Sequence, residues 1–220
     1  MDIRLQTILE MMPPSNVLYD IGTDHAYLPI AAVLNERVSK AYAVDNKEGP
    51  LNQASLSVQK QGLSEKVFPV LSDGINALKE ECDLITISGL GGKLIFDILN
   101  QAPLTHVNTL ILQANNHVEL VRKLTASTPF KITEEKVIKQ KEEIYVIIKM
   151  EKGSQTLDET DLYIGPLLRK NPPNIYIESL QKEYLFLEEL INKIPHELAK
   201  EPLKKKRNLL EGIFNEWRNH

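Results

Sequence analysis

Val17-Leu18-Tyr19-Asp20-Ile21-Gly22-Thr23-Asp24-His25-Ala26-Tyr27-Leu28-Pro29 is the stretch whose reading decides the fold. It opens as a short apolar run, breaks at one glycine and resumes as a helical pattern through Ile30, Ala31 and Leu34. Strand, tight turn and helix in that order begin an open α/β sheet. Small ligands bind in such sheets beyond the carboxyl ends of the parallel strands. The turn also restricts the ligand. A dinucleotide site takes G-x-G-x-x-G, so that backbone can approach a pyrophosphate at a helix N-terminus. Here Gly22 stands alone between Asp20 and Asp24. Two carboxylates repel a pyrophosphate and suit a cation or a neutral polar ligand. S-adenosylmethionine, with an ammonium, a sulfonium and no phosphate, meets that requirement. The plainer alternative makes Gly22 a turn glycine and Asp24 a helix cap.

Upstream, Ile3, Leu5, Ile8, Leu9 and Met12 recur at helical spacing, and Pro13-Pro14 stops that helix. Downstream, a helix is expected from Tyr27 to Asn35 and a strand from Ser39 to Val44, ending in Asp45-Asn46. A helix from Pro50 to Gln61 closes at Gly62. Val67 to Leu71 is a third strand, ending in Ser72-Asp73-Gly74, and Asp83 to Ser88 a fourth, ending in Gly89-Leu90-Gly91-Gly92. A helix over Lys93 to Leu99 leads to a fifth strand, Thr109 to Gln113, which ends in Ala114-Asn115-Asn116. Another helix runs from Val118 to Leu124. Strands alternating with helices predict a parallel α/β sheet covered on both faces, with all the polar strand ends at one edge. Phe130 to Lys139 and Glu143 to Met150 are then joined only by a short turn, which makes a hairpin. Parallel strands closed by an antiparallel hairpin are the plan of a Rossmann-like methyltransferase rather than of a dehydrogenase.

Composition shifts at Gly153-Ser154-Gln155, which divides the chain into a sheet domain, 1–153, and a helical domain, 154–220. A helix is expected from Leu157 to Arg169, stopped by Asn171-Pro172-Pro173, with Asn174 capping the next. Ile177, Leu180, Tyr184, Leu187, Ile191 and Ile194 form a heptad seam ended by Pro195, and Leu203, Leu210, Ile213 and Trp217 fall in register on a last helix. The pair reads as a coiled-coil-like antiparallel hairpin.

The 220 residues fit one large domain, or one with an appendage, and 42% hydrophobic content supports a sizeable core. A lone cysteine, Cys82, excludes a disulfide within the chain. Met1 to Met12 carries Asp2, Arg4 and Glu10 and does not read as a signal peptide, and no apolar run is long enough for a bilayer. A reducing, cytoplasmic setting without membrane association is the expectation. Net charge of −4 argues against coating nucleic acid non-specifically but leaves room for a local basic patch.

The strand ends carry the chemistry. Asp45, 25 positions after Asp20, is placed to accept the ribose hydroxyls of an adenosine. Asp73 is placed to meet the adenine amino group, and Gly74 permits close backbone approach. Each alone is a common turn residue. Three acids at three strand ends beside Gly22 point together to an adenosine-type ligand. The expected cofactor set is Asp20, Gly22, His25, Asp45, Asn46, Asp73, Gly74 and Gly89. For a planar substrate base, the candidates are Tyr27, by stacking, and Leu90, Gly91, Gly92, Gln113 and Asn115 at the fourth and fifth strand ends.

Three stretches carry a family resemblance: Asp20 to Pro29, Ser88-Gly89-Leu90-Gly91-Gly92, and Leu110-Ile111-Leu112-Gln113-Ala114-Asn115. They resemble the signatures of the bacterial tRNA adenine-N1 methyltransferases that modify position 22 in the D-arm. The likeness extends over essentially the whole chain. Leu90 stands where that family usually has methionine, and Ala114 where it usually has proline. The resemblance implies a class I fold, S-adenosylmethionine as cofactor and tRNA as substrate.

The absence of a catalytic triad, a Cys-His pair or a metal-ligand spacing is consistent with that chemistry. Adenine N1 already has a lone pair, so placing it in line with a methyl group suffices and no metal is expected. Asp24 is the candidate for stabilising the developing positive charge. Lys200, Lys204, Lys205, Lys206 and Arg207 form the densest basic cluster and are the candidates for RNA backbone contact, with a solvated helix face as the alternative. A monomer or weak dimer is expected. Two rival functions stand beside this one: a methyltransferase of another substrate class, and a non-catalytic RNA- or partner-binding module on the same fold.

Overall fold

The computed structural model describes residues 1–74 and 82–219; His220, one of five scattered histidines, lies outside them. It forms two compact units, Met1–Thr156 and Leu157–His220, so the division falls three residues beyond the 153/154 boundary read from composition.

The first unit is built on seven strands: β1 (Ser15–Ile21), β2 (Val38–Asp45), β3 (Val67–Leu71), β4 (Leu84–Leu90), β5 (Thr109–Ala114), β6 (Phe130–Gln140) and β7 (Glu143–Lys152). Their order in the sheet is β3-β2-β1-β4-β5-β7-β6. The first five are parallel, and β7 is antiparallel to both β5 and β6. The chain adds strands outward from β1 to β3, then returns to lay β4 on the other side of β1. That reversal opens a crevice at the carboxyl ends of β1 and β4, where doubly wound sheets bind ligands.

Helices α1 (Ile3–Met11), α2 (Tyr27–Leu34), α3 (Glu48–Lys60), α4 (Gly92–Asn100), α5 (Val118–Arg122) and α6 (Leu124–Ser127) accompany the sheet. All six residues of β5 are buried, as expected of a strand covered on both faces. Leu5, Ile8 and Met11 of α1 share one core with Leu28 and Ile30 of α2 and with Leu18, Leu84, Ile111 and Ile147 of the sheet. The Asp83 carboxylate accepts from the backbone N–H groups of Asn16 and Val17, both at 2.8 Å, and fixes the start of β4 against β1. The β6–β7 turn has two residues, with Lys141 in the left-handed region. The expected helix from Val118 to Leu124 is divided into α5 and α6. Arg122, which ends α5, makes a buried 2.9 Å ion pair with Glu135 of β6.

The second unit contains α7 (Glu159–Ile164), α8 (Pro166–Lys170), α9 (Asn174–Lys193) and α10 (Glu197–Arg218). The single helix expected from Leu157 to Arg169 is broken. Gly165 sits at φ +106 before Pro166, and a residue preceding proline is driven out of the helical region. Asn174 is the first helical residue rather than a cap. Part of the heptad seam packs within the chain: Leu180, Leu187 and Ile191 of α9 are buried, as are Leu210 and Ile213 of α10, while Ile177, Tyr184 and Ile194 stay partly exposed. Arg169 ties the ends together. Its guanidinium reaches Glu216 at 2.8 Å, Asp158 at 2.9 Å and Asp161 at 3.2 Å, while Trp217 Nε1 donates to its carbonyl at 2.7 Å.

Candidate active site

A cavity of about 330 Å³ opens at the switch point. Volumes of ~300–1,000 Å³ are usual for small-molecule sites. Gly22, Asp45, Asn46, Asp73 and Gly74, all named from the strand ends, line it. Their placement follows from backbone bonds at the sheet edge. The N–H groups of Gly22 and Thr23 both donate to Val44 O, at 2.9 and 3.0 Å, and Ser72 N–H donates to Asp45 O at 2.9 Å. Gly22 lies at φ +75, and a Cβ there would sit 3.4 Å from the Leu90 side chain, so the β1 turn and the β4 end close on one another. Asp45 Oδ1 accepts from Lys47 N–H at 2.8 Å, which orients its carboxylate.

Ser72, Lys47, Pro50, Leu94 and Ile98 also line the cavity and were not singled out from sequence. Leu94 and Ile98 lie one turn apart on α4, and Leu94 is half exposed although apolar. An apolar pair at that spacing just after a glycine turn is the signal that could have found them. Leu90, read as a contact for the base, lines this same cavity.

Asp20, His25 and Gly89 are not among the cavity residues. Asp20 is buried, and its carboxyl accepts from Thr86 Oγ1 at 2.7 Å. Burial pushes that carboxyl up from 3.8 to about 6; the Thr86 hydroxyl pulls against the rise and the negative charge of Asp24 adds to it.

Residues 23–27 are not among the cavity residues, and Thr23 and Ala26 are buried. His25 and Ala26 are both left-handed, at φ +53 and +55, and Ala26 caps α2 without a side-chain bond. Left-handed backbone at consecutive non-glycine residues is strained, and such strain gathers at functional sites. The turn presents Asp24 and Tyr27 to solvent and stacks the Tyr27 ring on His25, with centroids 5.3 Å apart. His25 Nε2 lies 3.4 Å from Asp24 Oδ1. Asp24 is thus exposed, and it caps no helix through its side chain.

Gly89, at φ +78, is held on both backbone groups. Its N–H donates to Gln113 Oε1 at 3.0 Å and its carbonyl accepts from Asn115 Nδ2 at 2.7 Å. Gln113 Nε2 completes the ring by donating to Asn115 Oδ1 at 3.2 Å. Gln113 is fully buried, so it lies beneath the turn rather than on a rim facing a base. Gly92 is buried too. A Cβ on it would lie 2.1 Å from His117 O, so this glycine admits the β5–α5 loop rather than a ligand. Gly91 is partly exposed beside Asn116 Oδ1.

The five basic residues named as candidates for RNA contact each face a carboxylate of the helical unit. Lys200 and Lys204 pair with Glu197, Lys205 with Glu159, Lys206 with Glu183 and Arg207 with Glu188. Ten basic residues against eleven acidic over 157–220 leave this unit without a net positive charge. Among the described residues, no three His, Cys, Asp or Glu side chains gather as a metal-binding set, and no helix is long and apolar enough to cross a membrane.

The cavity suits S-adenosylmethionine. It offers a carboxylate at the end of β2, an acid and a glycine at the end of β3, apolar walls from Val44, Leu90 and Ile98, and a one-glycine turn in place of a pyrophosphate cradle. With the strand order and the antiparallel β7, this defines a class I methyltransferase of Rossmann-like fold. The sequence profile of TrmK, tRNA (adenine(22)-N(1))-methyltransferase, matches residues 18–216. The chain belongs to that family.

A tRNA (adenine(22)-N(1))-methyltransferase of Bacillus subtilis (strain 168) is 33% identical over 189 residues, which cover 82% of this chain and 79% of that one. The structure of M. capricolum TrmK in complex with S-adenosylhomocysteine superposes with a TM-score of 0.91 at 30% identity, covering 98% of both chains. A Streptococcus pneumoniae structure in complex with S-adenosyl-L-methionine gives a TM-score of 0.89 at 31% identity, covering 97% of this chain and 99% of that one.

Proposed function

We propose that the chain transfers a methyl group from S-adenosylmethionine to N1 of adenine 22 in the D-arm of tRNA. The observation that carries the proposal is the cavity at the β1/β4 switch point, with Asp45 and Asp73 at adjoining strand ends and no pyrophosphate cradle. Asp45 accepts the ribose hydroxyls, Asp73 and Gly74 meet the adenine of the cofactor, and Gly22 gives its backbone room.

When bound, the cofactor supplies an electrophilic methyl on a sulfonium leaving group. N1 attacks with its own lone pair, so no side chain need remove a proton during attack. The protein's contribution is placement, which is worth up to ~7–11 kcal/mol in well-oriented systems. N1 lies on the Watson–Crick edge, so the base must leave its stack to be reached. Tyr27, half exposed on its strained turn, offers a ring to stack on that base. Asp24, exposed beside it, stabilises the cationic product. The turn at Gly89 to Gly91 forms the floor, held by Gln113 and Asn115 from behind.

The helical unit holds the RNA backbone through Lys200, Lys204, Lys205, Lys206 and Arg207. Their ion pairs include solvent-exposed ones, which phosphates exchange with readily. The reaction needs no metal, takes place in the cytoplasm, and is carried out by a monomer or weak dimer, a reading supported by the burial of Leu180, Leu187, Ile191, Leu210 and Ile213 within one chain.

Incubation with labelled S-adenosylmethionine and unmodified bulk tRNA, followed by nucleoside analysis, tests this. The expected product is 1-methyladenosine. Cofactor binding without transfer to tRNA would favour a different substrate class, and loss of both would favour a non-catalytic module.

A further inference from the structure

Arg4 lies in the first turn of α1, before the region matched by the family profile. Its Nη1 donates to Gln113 Oε1 at 3.2 Å, the same oxygen that accepts the Gly89 N–H. A Cβ placed on Gly89 would sit 3.2 Å from that Nη1, so guanidinium and turn are in contact. We propose that Arg4 is a positioning residue for methyl transfer, fixing the Gln113 carboxamide and through it the Gly89 turn beneath the target adenine.

The argument is one of orientation. A buried carboxamide has two flipped states of similar shape. Only one of them presents oxygen to the Gly89 N–H and nitrogen to Asn115. In the other, an NH₂ would face both the Gly89 donor and the guanidinium. A cation against Oε1 therefore leaves Gln113 one orientation and Gly89 one set of partners.

The guanidinium carbon also lies 6.0 Å from the centroid of the Tyr145 ring, at the outer limit of a cation–π contact. The Arg4 Nε is buried without a hydrogen-bond partner, and its nearest carboxylate, Asp2 Oδ2, is 3.7 Å from Nη2. An unpaired buried donor is a cost that an apolar side chain would avoid. The helix itself is anchored separately. Asp2 Oδ1 caps it at Leu5 N–H, and Asp2 Oδ2 accepts from Gln140 Nε2 at 3.2 Å. Arg4 is thus delivered to the turn from an element fastened to the far hairpin.

The inference rests on the methyl-transfer reading above, so its test has one readout in the ligand-free protein. Amide exchange at Gly89, followed by NMR, is expected to accelerate in Arg4→Ala while amides of β1 and β5 keep their protection. In single-turnover methylation of tRNA, Arg4→Ala is expected to lower the rate by about 10–100-fold with S-adenosylmethionine affinity unchanged. Gln113→Ala should do the same, and the double variant should be no slower than Gln113→Ala alone. Arg4→Lys, which keeps a donor, should recover much of the rate, and Arg4→Met should not. Rates that multiply in the double variant, or a Gly89 amide indifferent to Arg4→Ala, would overturn the proposal. A wild-type protein inactive on tRNA would instead overturn the reaction, and Gly89 exchange would still decide whether Arg4 holds the turn.

Discussion

The Thr86 hydroxyl donates a 2.7 Å hydrogen bond to the buried carboxyl of Asp20, its register partner across the β1–β4 pair. The bond joins the two strands whose divergence makes the cavity. It also holds a carboxyl whose value burial has pushed up to about 6. Between pH 3.8 and about 6 the folded protein keeps a proton that the unfolded chain has shed, so this group's contribution to stability falls as pH rises through that window. The full penalty, about 3 kcal/mol at 1.36 kcal/mol per unit, stands at neutral pH. Asp20→Asn should flatten the dependence of unfolding free energy on pH between 4 and 7. Denaturant titrations of the two proteins that ran parallel over that range would contradict the assignment.

Asp45→Ala removes the carboxylate assigned to the ribose, and charge-assisted hydrogen bonds are worth about 1.5–3 kcal/mol each. Calorimetry should record a 10- to 100-fold weaker affinity for S-adenosylmethionine, within the same estimate. Tm should hardly move, because Asp45 is only partly buried and its carboxylate bonds a near neighbour in the chain, the Lys47 N–H. Wild-type affinity would remove Asp45 from the site.

Two glycines give opposite expectations. Gly92→Ala forces a Cβ to within 2.1 Å of His117 O, where backbone must shift, and should cost about 1–3 kcal/mol or more. Gly212→Ala puts a methyl into open space in the interior of α10 and should stabilise the helix by about 0.5–1 kcal/mol. Thermal melts of both read the difference directly.

Replacing Lys204, Lys205, Lys206 and Arg207 together by alanine should raise KM for tRNA with cofactor affinity unchanged. Every phosphate that these side chains no longer neutralise should shallow the salt dependence of tRNA binding, in log-log form, by about 0.7–0.9. An unaltered slope would mean that these side chains serve only their intramolecular carboxylates.

The sheet was legible because its signals are local. Apolar runs alternate with helical spacing, and each strand ends in Asp, Asn or Gly, so Gly22, Asp45, Asn46, Asp73 and Gly74 meet at one cavity. What was not legible depends on closure of the chain. Gln113 looked like a rim residue from its place at a strand end, yet the side chain turns under Gly89 and is buried. The partners of Lys205, Lys206 and Arg207 come from α7 and α9, so a basic run in the sequence is a set of ion pairs in the fold. Arg4 reaches Gln113 across 109 positions, a contact no spacing rule anticipates. The break at Gly165-Pro166 is the exception: glycine before proline is a local signal, and it was outweighed by the helical spacing around it.

The most direct measurement is single-turnover methylation of an unmodified tRNA transcript carrying adenine 22, with the product mapped by reverse-transcription arrest. The account predicts one methyl group per transcript, at N1 of adenine 22, and none on a transcript with guanine at that position. Methylation of both transcripts alike, or arrest at any other position, would contradict it.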